Sequence, residues 1–584
     1  MPSPAELLGP RVSAAIEAAF GAQYAGADPV LRSSQFADLQ ANAPLALAKR
    51  LGMPPRQVAA RIVAALDVAD MCSSVEISGP GFVNLTLSDA WIAAAFSALA
   101  VDPRRGVPWQ QPQVVPIDYS APNVAKEMHV GHLRTTIVGD ALARTLDHLG
   151  HRVIRQNHVG DWGTPFGMLI ERLVDVGEGS PAARVVETEP NAFYLAARAQ
   201  FGGDPDFADR ARARVVALQA GDADTTRLWG ELVALSKRYF NRVYAALGVT
   251  LTDADLAGES TYNADLADVC DELQAAGIAV VSDGALCVFL DEFTGREGRP
   301  VPLIVRKSDG GYGYATTDLA TIRHRVRDLH ADRILYVVGA PQSLHLQMVF
   351  RTARRAGWLP DEVEVVHVQI GNVLGSDKKI LRTREGSSPP LMGLVEQAVA
   401  RARQVLDDSR PDLPEPIRAA VAPQVGVGAV KYADLSVAHD SEYVFDLDRM
   451  VSLTGNTGPY LQYAVARIRS IFRAGGLDVP DASTGADAAA AEIVVTEPAE
   501  RALGLALLGY GSVVAEVGRA LEPHRLCGYL FELAQTFSVF YEACPVLKAP
   551  DARIRESRVS LCATTHDVLA QGLQLLGIDT PPEM

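Results

Sequence analysis

The sequence has few cysteines, no long apolar run and no excess of positive charge, and each absence narrows the classes of protein that it can encode. Six cysteines are scattered over 584 residues without a C-x-x-C pair, which favours buried, reduced thiols over a disulfide framework. No stretch of about 18 consecutive apolar residues occurs, so no transmembrane helix is predicted. The N-terminus has no basic segment followed by an apolar one, which argues against a signal peptide. We therefore expect a cytoplasmic protein without a membrane partner.

The composition is that of a folded protein with several domains. Hydrophobic residues make up 48% and charged residues 21% of the sequence, which is ordinary for globular proteins. A chain of 584 residues exceeds what one hydrophobic core supports, so about three or four domains are expected. The formal net charge of −16 argues against a protein that coats nucleic acid nonspecifically, but it leaves local basic patches open.

Patterns of apolar residues predict an α+β domain followed by a parallel sheet. In residues 1–108, helical patterns precede two strands on either side of a Gly-Pro-Gly turn. The next segment predicts a strand at 114–119, a helix at 129–149 and a strand at 153–158. Strand, helix and strand in this order form the βαβ unit of a doubly wound, Rossmann-type sheet, so we predict an α/β domain over 109–410.

The same α/β pattern resumes near residue 333 after a long interruption. Residues of about 170–300 are too many for a loop and mostly helical in pattern, and we interpret them as an inserted subdomain. Four prolines between 411 and 423 indicate a linker, which we extend as a helical stem over 411–454. Residues 455–584 are predicted to form an all-α domain.

The most informative segment is 118–132, DYSAPNVAKEMHVGH, which connects the first predicted strand of the sheet to its helix. His129 and His132 are three residues apart at the predicted start of this helix, so their side chains share one face. Imidazoles and free backbone N–H groups at a helix N-terminus suit phosphate oxygens, and Gly131 lets a flat ring approach the backbone. Surface histidines and a pair of zinc ligands remain alternatives, although no third ligand cluster is apparent.

The H-V-G-H motif in this context resembles the first signature of the class I aminoacyl-tRNA synthetases. The preceding Ser-Ala-Pro-Asn-Val-Ala-Lys resembles the arginyl-tRNA synthetase family in particular. Further segments similar to that family follow in the same order at 157–163, 259–262, 308–318, 428–435, 455–469 and 575–584. The resemblance implies an arginine–tRNA ligase, which activates L-arginine with ATP and transfers it to the 3′ terminal adenosine of tRNA-Arg.

The resemblance implies two groups of residues around ATP. His129, Gly131 and His132 would bind ATP, and the two histidines would stabilise the transition state on its phosphates. The second class I signature is a mobile basic loop, placed here at 375–386. Its implied catalytic residues, supplemented by one lysine upstream of the first signature, are Lys379 (which also contacts ATP), Arg382, Arg384 and Lys126. Arg382 stands where the family commonly has lysine, and a solvated basic loop is the alternative on composition alone.

The resemblance also implies a pocket for the amino acid. The residues implied to bind arginine are Asp118 at the α-amino end, Asn123, Tyr314, Asp318 and Gln342. A carboxylate such as Asp318 accepts two of the five guanidinium donors side by side, whereas lysine leaves that fork unmatched. On the residues alone, Asp318 is equally well explained as a helix cap and Tyr314 as a packed aromatic, and Pro341 leaves the register of Gln342 open by one position.

A predicted helix in the C-terminal domain combines aromatic rings with arginines. The residues predicted to bind tRNA are Tyr460, Tyr463, Arg467, Arg469 and Arg473. Such a set suits unstacked bases and phosphates, although a solvated helical face has the same composition. The resemblance implies that this domain reads the anticodon and that the N-terminal domain contacts the outer corner of the tRNA. ATP is then a substrate that arrives with Mg²⁺, no metal held by the protein is expected, and we predict a monomer.

Two other functions remain open at this point. Another class I synthetase is the nearer one, but the lack of a Cys/His zinc site and the N-terminal domain count against the cysteine enzyme. A catalytically impaired tRNA-binding paralogue is suggested only by the altered second signature.

Overall fold

The computed structural model describes residues 2–584 except 125, 296–297, 299, 383–387 and 479–492. The N-terminal part is an α+β unit, as predicted. Its sheet has the order β1-β2-β4-β3 with antiparallel neighbours. Its strands are β1 (Leu31–Ser33), β2 (Leu39–Ala41), β3 (Cys72–Ser78) and β4 (Phe82–Leu87). Its helices are α1 (Pro4–Phe20), α2 (Ala43–Leu51), α3 (Pro55–Ala65) and α4 (Asp89–Val101).

A parallel sheet of four strands in the order β11-β10-β5-β6 forms the centre of the molecule. The strands are β5 (Val114–Asp118), β6 (Arg152–Gln156), β10 (Arg333–Gly339) and β11 (Glu364–Ile370). The connecting helices include α5 (Val130–Leu149), α12 (Tyr314–Arg327) and α13 (Ser343–Arg355). This is the predicted Rossmann-type arrangement. The chain order reverses between β5 and β10, and open α/β sheets bind ligands beyond the carboxyl ends of strands at such a point.

The insertion between β6 and β10 has a helical half and a mixed half. The first half contains α6 (Thr164–Val176), α7 (Pro181–Thr188), α8 (Pro190–Gly203), α9 (Pro205–Gln219) and α10 (Ala223–Leu247). The second half contains α11 (Leu266–Ala275) and an antiparallel sheet of β7 (Ala279–Ser282), β8 (Ala285–Thr294) and β9 (Pro300–Arg306). The prediction of a mostly helical insertion omits this sheet, because periodicity alone does not separate short apolar strands from buried helix.

After a short parallel pair, β12 (Val373–Leu374) and β13 (Tyr443–Val444), the remaining chain is helical. Its helices are α14 (Leu391–Ser409), α15 (Glu415–Leu435), α16 (Leu447–Met450), α17 (Gly458–Gly475), α18 (Pro498–Leu507), α19 (Tyr510–Ala520), α20 (His524–Ala543) and α21 (Ala552–Leu575). Of the four prolines, Pro411 and Pro414 lie in the short connection between α14 and α15, which pack against each other, and Pro416 and Pro423 lie inside α15. Among the described residues, no helix is long and apolar enough to cross a bilayer.

The catalytic-side helix α5 is fixed to the C-terminal half by a buried ion pair. Nε of Arg134 donates to Asp434 of α15 at 3.0 Å, and both side chains are at most 1% exposed. Arg134 also donates to the carbonyl oxygens of Ser441 and Ala438. One hydrophobic cluster joins residues of α5, the central sheet and helices α17 to α21. The start of α5 is thereby held in a fixed relation to both halves.

Candidate active site

The first part of the site lies where β5 hands over to α5. His129 caps the helix: its Nδ1 accepts a hydrogen bond from the N–H of Gly131 at 3.1 Å. The backbone N–H of His129 in turn donates to Nδ1 of His132 at 3.1 Å. The two imidazole rings are 4.1 Å apart. The cap, and not a shared helical face, therefore brings the two rings together, because His129 precedes the first helical residue.

The hydrogen bonds of this cap determine where the ring protons sit. Because both Nδ1 atoms accept hydrogen bonds, each neutral ring carries its proton on Nε2. Burial, with His129 nearby, lowers the pKa of His132 to about 3. Burial and the charge of Lys126 also lower the pKa of His129. Both rings are thus neutral N–H donors at neutral pH, which suits hydrogen bonds to oxyanions.

Gly131 is required by the position of the His129 ring. A Cβ at residue 131 would lie 2.8 Å from Cε1 and 2.9 Å from Nδ1 of that ring, closer than real contacts allow. Gly131 is exposed, so the backbone at the start of α5 is open to a ligand.

A cavity of about 560 Å³ is lined in part by the loop that leads to the histidine cap, although neither His129 nor His132 is among its lining residues. Asn123, Lys126, Glu259, Tyr314 and His345 are among its lining residues. Lys126 lies three positions before His129, and its charge lowers the pKa of that histidine. The backbone of Asn123 forms a β-bridge with Gly160, where a Cβ would lie 2.5 Å from Oδ1 of Asn123. The structure thus brings Asn123, Tyr314 and Lys126 to one cavity.

Asp318 lies behind one wall of this cavity, in the second turn of α12. Its Oδ2 is 2.6 Å from Nε2 of His345, and its Oδ1 is 3.9 Å from Nε2 of His158. Asp318 is 18% exposed and is not itself a lining residue, whereas His345 is. Tyr314 is 67% exposed and meets the His345 ring edge-on at 4.7 Å. Asp318 is therefore held by histidine and is not acting as a helix cap.

Glu259 is a site residue to which the sequence analysis gave no role. It lines the cavity, and burial, together with the charges of Asp318 and Asp161, raises its pKa to about 8. Burial raises the pKa of Asp161 as well. The sequence signal was the family-like segment 259–262, which contains this glutamate but has no pattern that assigns it a function. Three carboxyl groups near one cavity suit a cation.

Two residues predicted to bind arginine lie elsewhere. Asp118 is 4% exposed, and its Oδ2 accepts a hydrogen bond at 2.9 Å from the buried Arg325, whereas its Oδ1 has no hydrogen-bond partner among the described residues. Gln342 is exposed on the 3-10 turn Ala340–Gln342. Neither residue lines the cavity. The placement of Gln342 follows from Pro341, which turns the chain before α13.

The basic loop of the second signature begins as a turn after β12. Lys379 and Arg382 are exposed, and the N–H of Gly375 donates to the carbonyl oxygen of Lys379 at 2.8 Å. Arg384 lies outside the described residues. Lys126 lies over the ring of Tyr194, with Nζ 4.2 Å from its centroid. Lys126 therefore lies at the edge of the cavity, where the loop before α5 meets the insertion.

The predicted tRNA-binding residues all lie on α17 but differ in their partners. Tyr460 packs on Phe531, and Tyr463 is exposed. The guanidinium of Arg467 lies 4.4 Å over the ring of Tyr541, beside a cavity of about 460 Å³.

Arg469 and Arg473, which are also predicted to bind tRNA, have hydrogen-bond partners inside the protein. Arg469 donates to the carbonyl oxygens of Thr580 and Pro581 at 2.9 and 2.7 Å, and Arg473 donates to that of Pro582 at 3.2 Å. Their guanidinium groups are thus engaged with the segment that follows α21. The assignment of both arginines to tRNA stays a prediction.

The described residues contain no group of three or more His, Cys, Asp or Glu side chains that could hold a metal ion. The two histidines therefore have no companions in that part of the chain with which to form a zinc site.

Comparison with known proteins extends these observations to the whole chain. Family models match over three ranges: an arginyl-tRNA synthetase N-terminal domain at 7–87, a catalytic domain of class I tRNA synthetases for arginine at 96–447, and a DALR anticodon-binding domain at 461–584. The arginine–tRNA ligase of Thermobifida fusca is 66% identical over all of both chains. That of Frankia casuarinae is 53% identical over 98% of this chain and 97% of its own.

Solved structures agree with the sequence comparison. The arginyl-tRNA synthetase of Plasmodium falciparum superposes with a TM-score of 0.82 at 26% identity, covering 98% of each chain. The Thermus thermophilus arginyl-tRNA synthetase gives 0.77 at 25% identity over 98% of this chain and 99% of that one. Neither another class I specificity nor an impaired paralogue finds support in these matches. With a family model over most of its length and relatives this close, the chain belongs to the arginyl-tRNA synthetases.

Proposed function

We propose that the cavity beside His129 and His132 binds L-arginine end to end with ATP, in an enzyme that charges tRNA-Arg. The observation that supports this assignment is a cavity lined by Glu259, Asn123 and Tyr314 together with Lys126, which stands just before the histidine cap in the sequence. Glu259 lines the cavity, Asp318 lies next to it, and the charge of Lys126 reaches both the cavity and the histidine pair.

The acidic end of the cavity is the proposed guanidinium site. Asp318 and Glu259 supply carboxylate oxygens in planes that a forked cation matches with paired hydrogen bonds. A lysine ammonium is a point charge on a stem of similar length, and it would leave part of these acceptors unpaired. Tyr314, at the mouth of the cavity, covers the substrate stem, and Asn123 faces its polar end. Selection of arginine over lysine follows from this geometry.

The other end of the crevice is the proposed triphosphate site. Nε2–H of His129 and His132 would donate to phosphate oxygens, beside the open backbone at Gly131. Lys379 and Arg382 would add positive charge from the exposed loop, and Mg²⁺ would arrive with ATP. Arg384 keeps its proposed role from the sequence.

In the proposed reaction, the arginine carboxylate attacks the α-phosphorus of ATP in line and pyrophosphate leaves with the electron pair of the broken P–O bond. The nucleophile is already ionised, so no side chain needs to take a proton. Catalysis then consists of positioning and of stabilising charge on the phosphates. The adenylate next transfers its acyl group to the 2′-hydroxyl of the terminal adenosine and releases AMP. Activation is expected to require bound tRNA.

The tRNA is proposed to lie along the face that joins the terminal domains. Arg467, stacked on Tyr541 beside a cavity, suits an unstacked anticodon base, with Tyr460 and Tyr463 nearby. We propose that the first three domains end at residues 108, 410 and 454. Residues of about 170–300 form an insertion within the second of them. We also propose that the enzyme is a cytoplasmic monomer and that its N-terminal domain contacts the outer corner of the tRNA.

The proposal is tested by aminoacylation of tRNA-Arg transcript with each of the twenty amino acids, using the full chain. Only arginine should be charged. Asp318→Asn, which keeps shape but removes the charge, should raise the KM for arginine at least about tenfold and leave the KM for ATP nearly unchanged. An unchanged KM for arginine in this variant would refute the proposed guanidinium site. Charging of lysine as fast as arginine by the wild-type enzyme would refute the proposed selectivity.

A further inference from the structure

The contact between Asp318 and His345 is a short polar contact at the acidic end of the cavity. Nε2 of His345 lies 2.6 Å from Oδ2 of Asp318, and the two side chains are 20% and 18% exposed. His345 comes from the first turn of α13 and Asp318 from the second turn of α12, and these two helices pack against each other. The bond therefore ties the carboxylate to a second helix and limits its rotation.

The opposite oxygen of the same carboxylate is not bound in this way. Oδ1 of Asp318 lies 3.9 Å from Nε2 of His158, beyond hydrogen-bond distance. Glu259, close enough to be affected by the charge of Asp318, lines the cavity on this approach. One oxygen of Asp318 is thus fixed by a ring N–H, and the other is left for a further donor.

We propose that His345 is the positioning residue of the guanidinium site: its Nε2–H holds Oδ2 of Asp318 so that the carboxylate meets arginine in a single orientation. The inference rests on the proposed function of Asp318. A carboxylate oxygen has two acceptor directions, so the imidazole bond and one guanidinium bond can share Oδ2 while a second guanidinium N–H reaches Oδ1. The edge of Tyr314 against the imidazole, at 4.7 Å, restrains the ring and links it to the mouth of the cavity.

The geometry requires a donor at the position of Nε2, and this separates positioning from packing. Glutamine places an amide N–H near Nε2 of histidine, whereas alanine removes the donor. His345→Ala should raise the KM for arginine about 10- to 100-fold, the range for losing a hydrogen bond to a charged group, with the KM for ATP unchanged. His345→Gln should retain most of the affinity for arginine that the alanine variant loses. Gln347→Ala, an exposed position on the same helix, is the matched control and should behave as wild type.

A double-substitution cycle gives the decisive comparison, with melting temperatures recorded for each variant. If His345 acts through Asp318, adding His345→Ala to Asp318→Asn should change the arginine KM by less than about threefold. Multiplying effects, or equal losses in the alanine and glutamine variants, would show a packing role and overturn the inference. The inference would also be overturned if His345→Ala had a normal KM for arginine while Asp318→Asn was impaired. That result would leave the proposed guanidinium site itself standing. An Asp318→Asn variant that binds arginine normally would instead refute the proposed function.

Discussion

The backbone of Val130 donates to the carbonyl oxygen of Pro389 at 3.1 Å, and His129 forms a β-bridge with Pro390. The chain that leaves the basic loop thus returns directly to the first helical residue after the histidine cap. The segment that follows the second class I-like signature is joined by main-chain hydrogen bonds to the first signature, which is far away in sequence.

Loss of the His132 side chain should impair the chemical step more than arginine binding. We expect His132→Ala to lower kcat by about 10²- to 10³-fold, as is typical when one donor to the transition state is removed. Steady-state aminoacylation with arginine and ATP varied separately measures this. His148→Gln, at the far end of the same helix, is the control. An unchanged kcat in the alanine variant would rule out the proposed role of His132.

Arginine binding should strengthen as pH rises towards about 8. The pKa of Glu259 is raised to about 8, so below this pH the side chain is protonated when the cavity is empty. A bound guanidinium favours the ionised carboxylate, and binding below this pKa therefore costs a deprotonation. The KM for arginine should fall about tenfold between pH 6.5 and 8. Glu259→Gln should remove this dependence, and a slope that persists in that variant would contradict the assignment to Glu259.

The pair Arg134 and Asp434 should contribute strongly to stability when one partner alone is removed. Asp434→Ala leaves a buried guanidinium without its counter-ion and should destabilise the protein by about 3–5 kcal/mol. The urea midpoint of unfolding measures this. Asp328→Ala removes an exposed partner of His324 and should change stability by less than about 0.5 kcal/mol. Similar midpoints for the two variants would show that the buried pair is dispensable.

Two arginines on α17 should have separable effects. Arg467→Ala should raise the KM for tRNA several-fold and reduce its dependence on salt, with little loss of stability. Arg469→Ala should lower the melting temperature, because it leaves the carbonyl oxygens of Thr580 and Pro581 without their donor. Filter binding of tRNA-Arg at several salt concentrations and thermal unfolding distinguish them. Weaker tRNA binding by the Arg469 variant without a lower melting temperature would instead show that Arg469 contacts tRNA.

The sequence predicted the architecture well where the pattern is local. The βαβ unit around α5, the helical C-terminal part and the α+β N-terminal part are all present, because apolar periodicity and turn residues determine them within short windows. The sheet β7-β8-β9 was not predicted, since its pairing depends on contacts between separate apolar runs.

The site was less predictable than the fold. The motifs single out Asn123 and Tyr314, which line one cavity, but they do not reveal partners contributed by distant elements. Asp118 is paired with Arg325, which lies 207 positions further along the chain, and no local pattern reveals that contact. The roles of Glu259 and His345 likewise depend on burial and on a contact between helices. Long-range pairing of polar groups is what single-sequence reasoning lacks.

The most direct test of the account is a crystal structure of the full chain with L-arginine, a non-hydrolysable ATP analogue and tRNA-Arg. We predict guanidinium nitrogens at about 2.7–3.2 Å from oxygens of Asp318 and Glu259, and phosphate oxygens at the same distance from Nε2 of His129 and His132. An arginine whose guanidinium lies away from both carboxylates, or a triphosphate away from the histidine pair, would contradict the central claim.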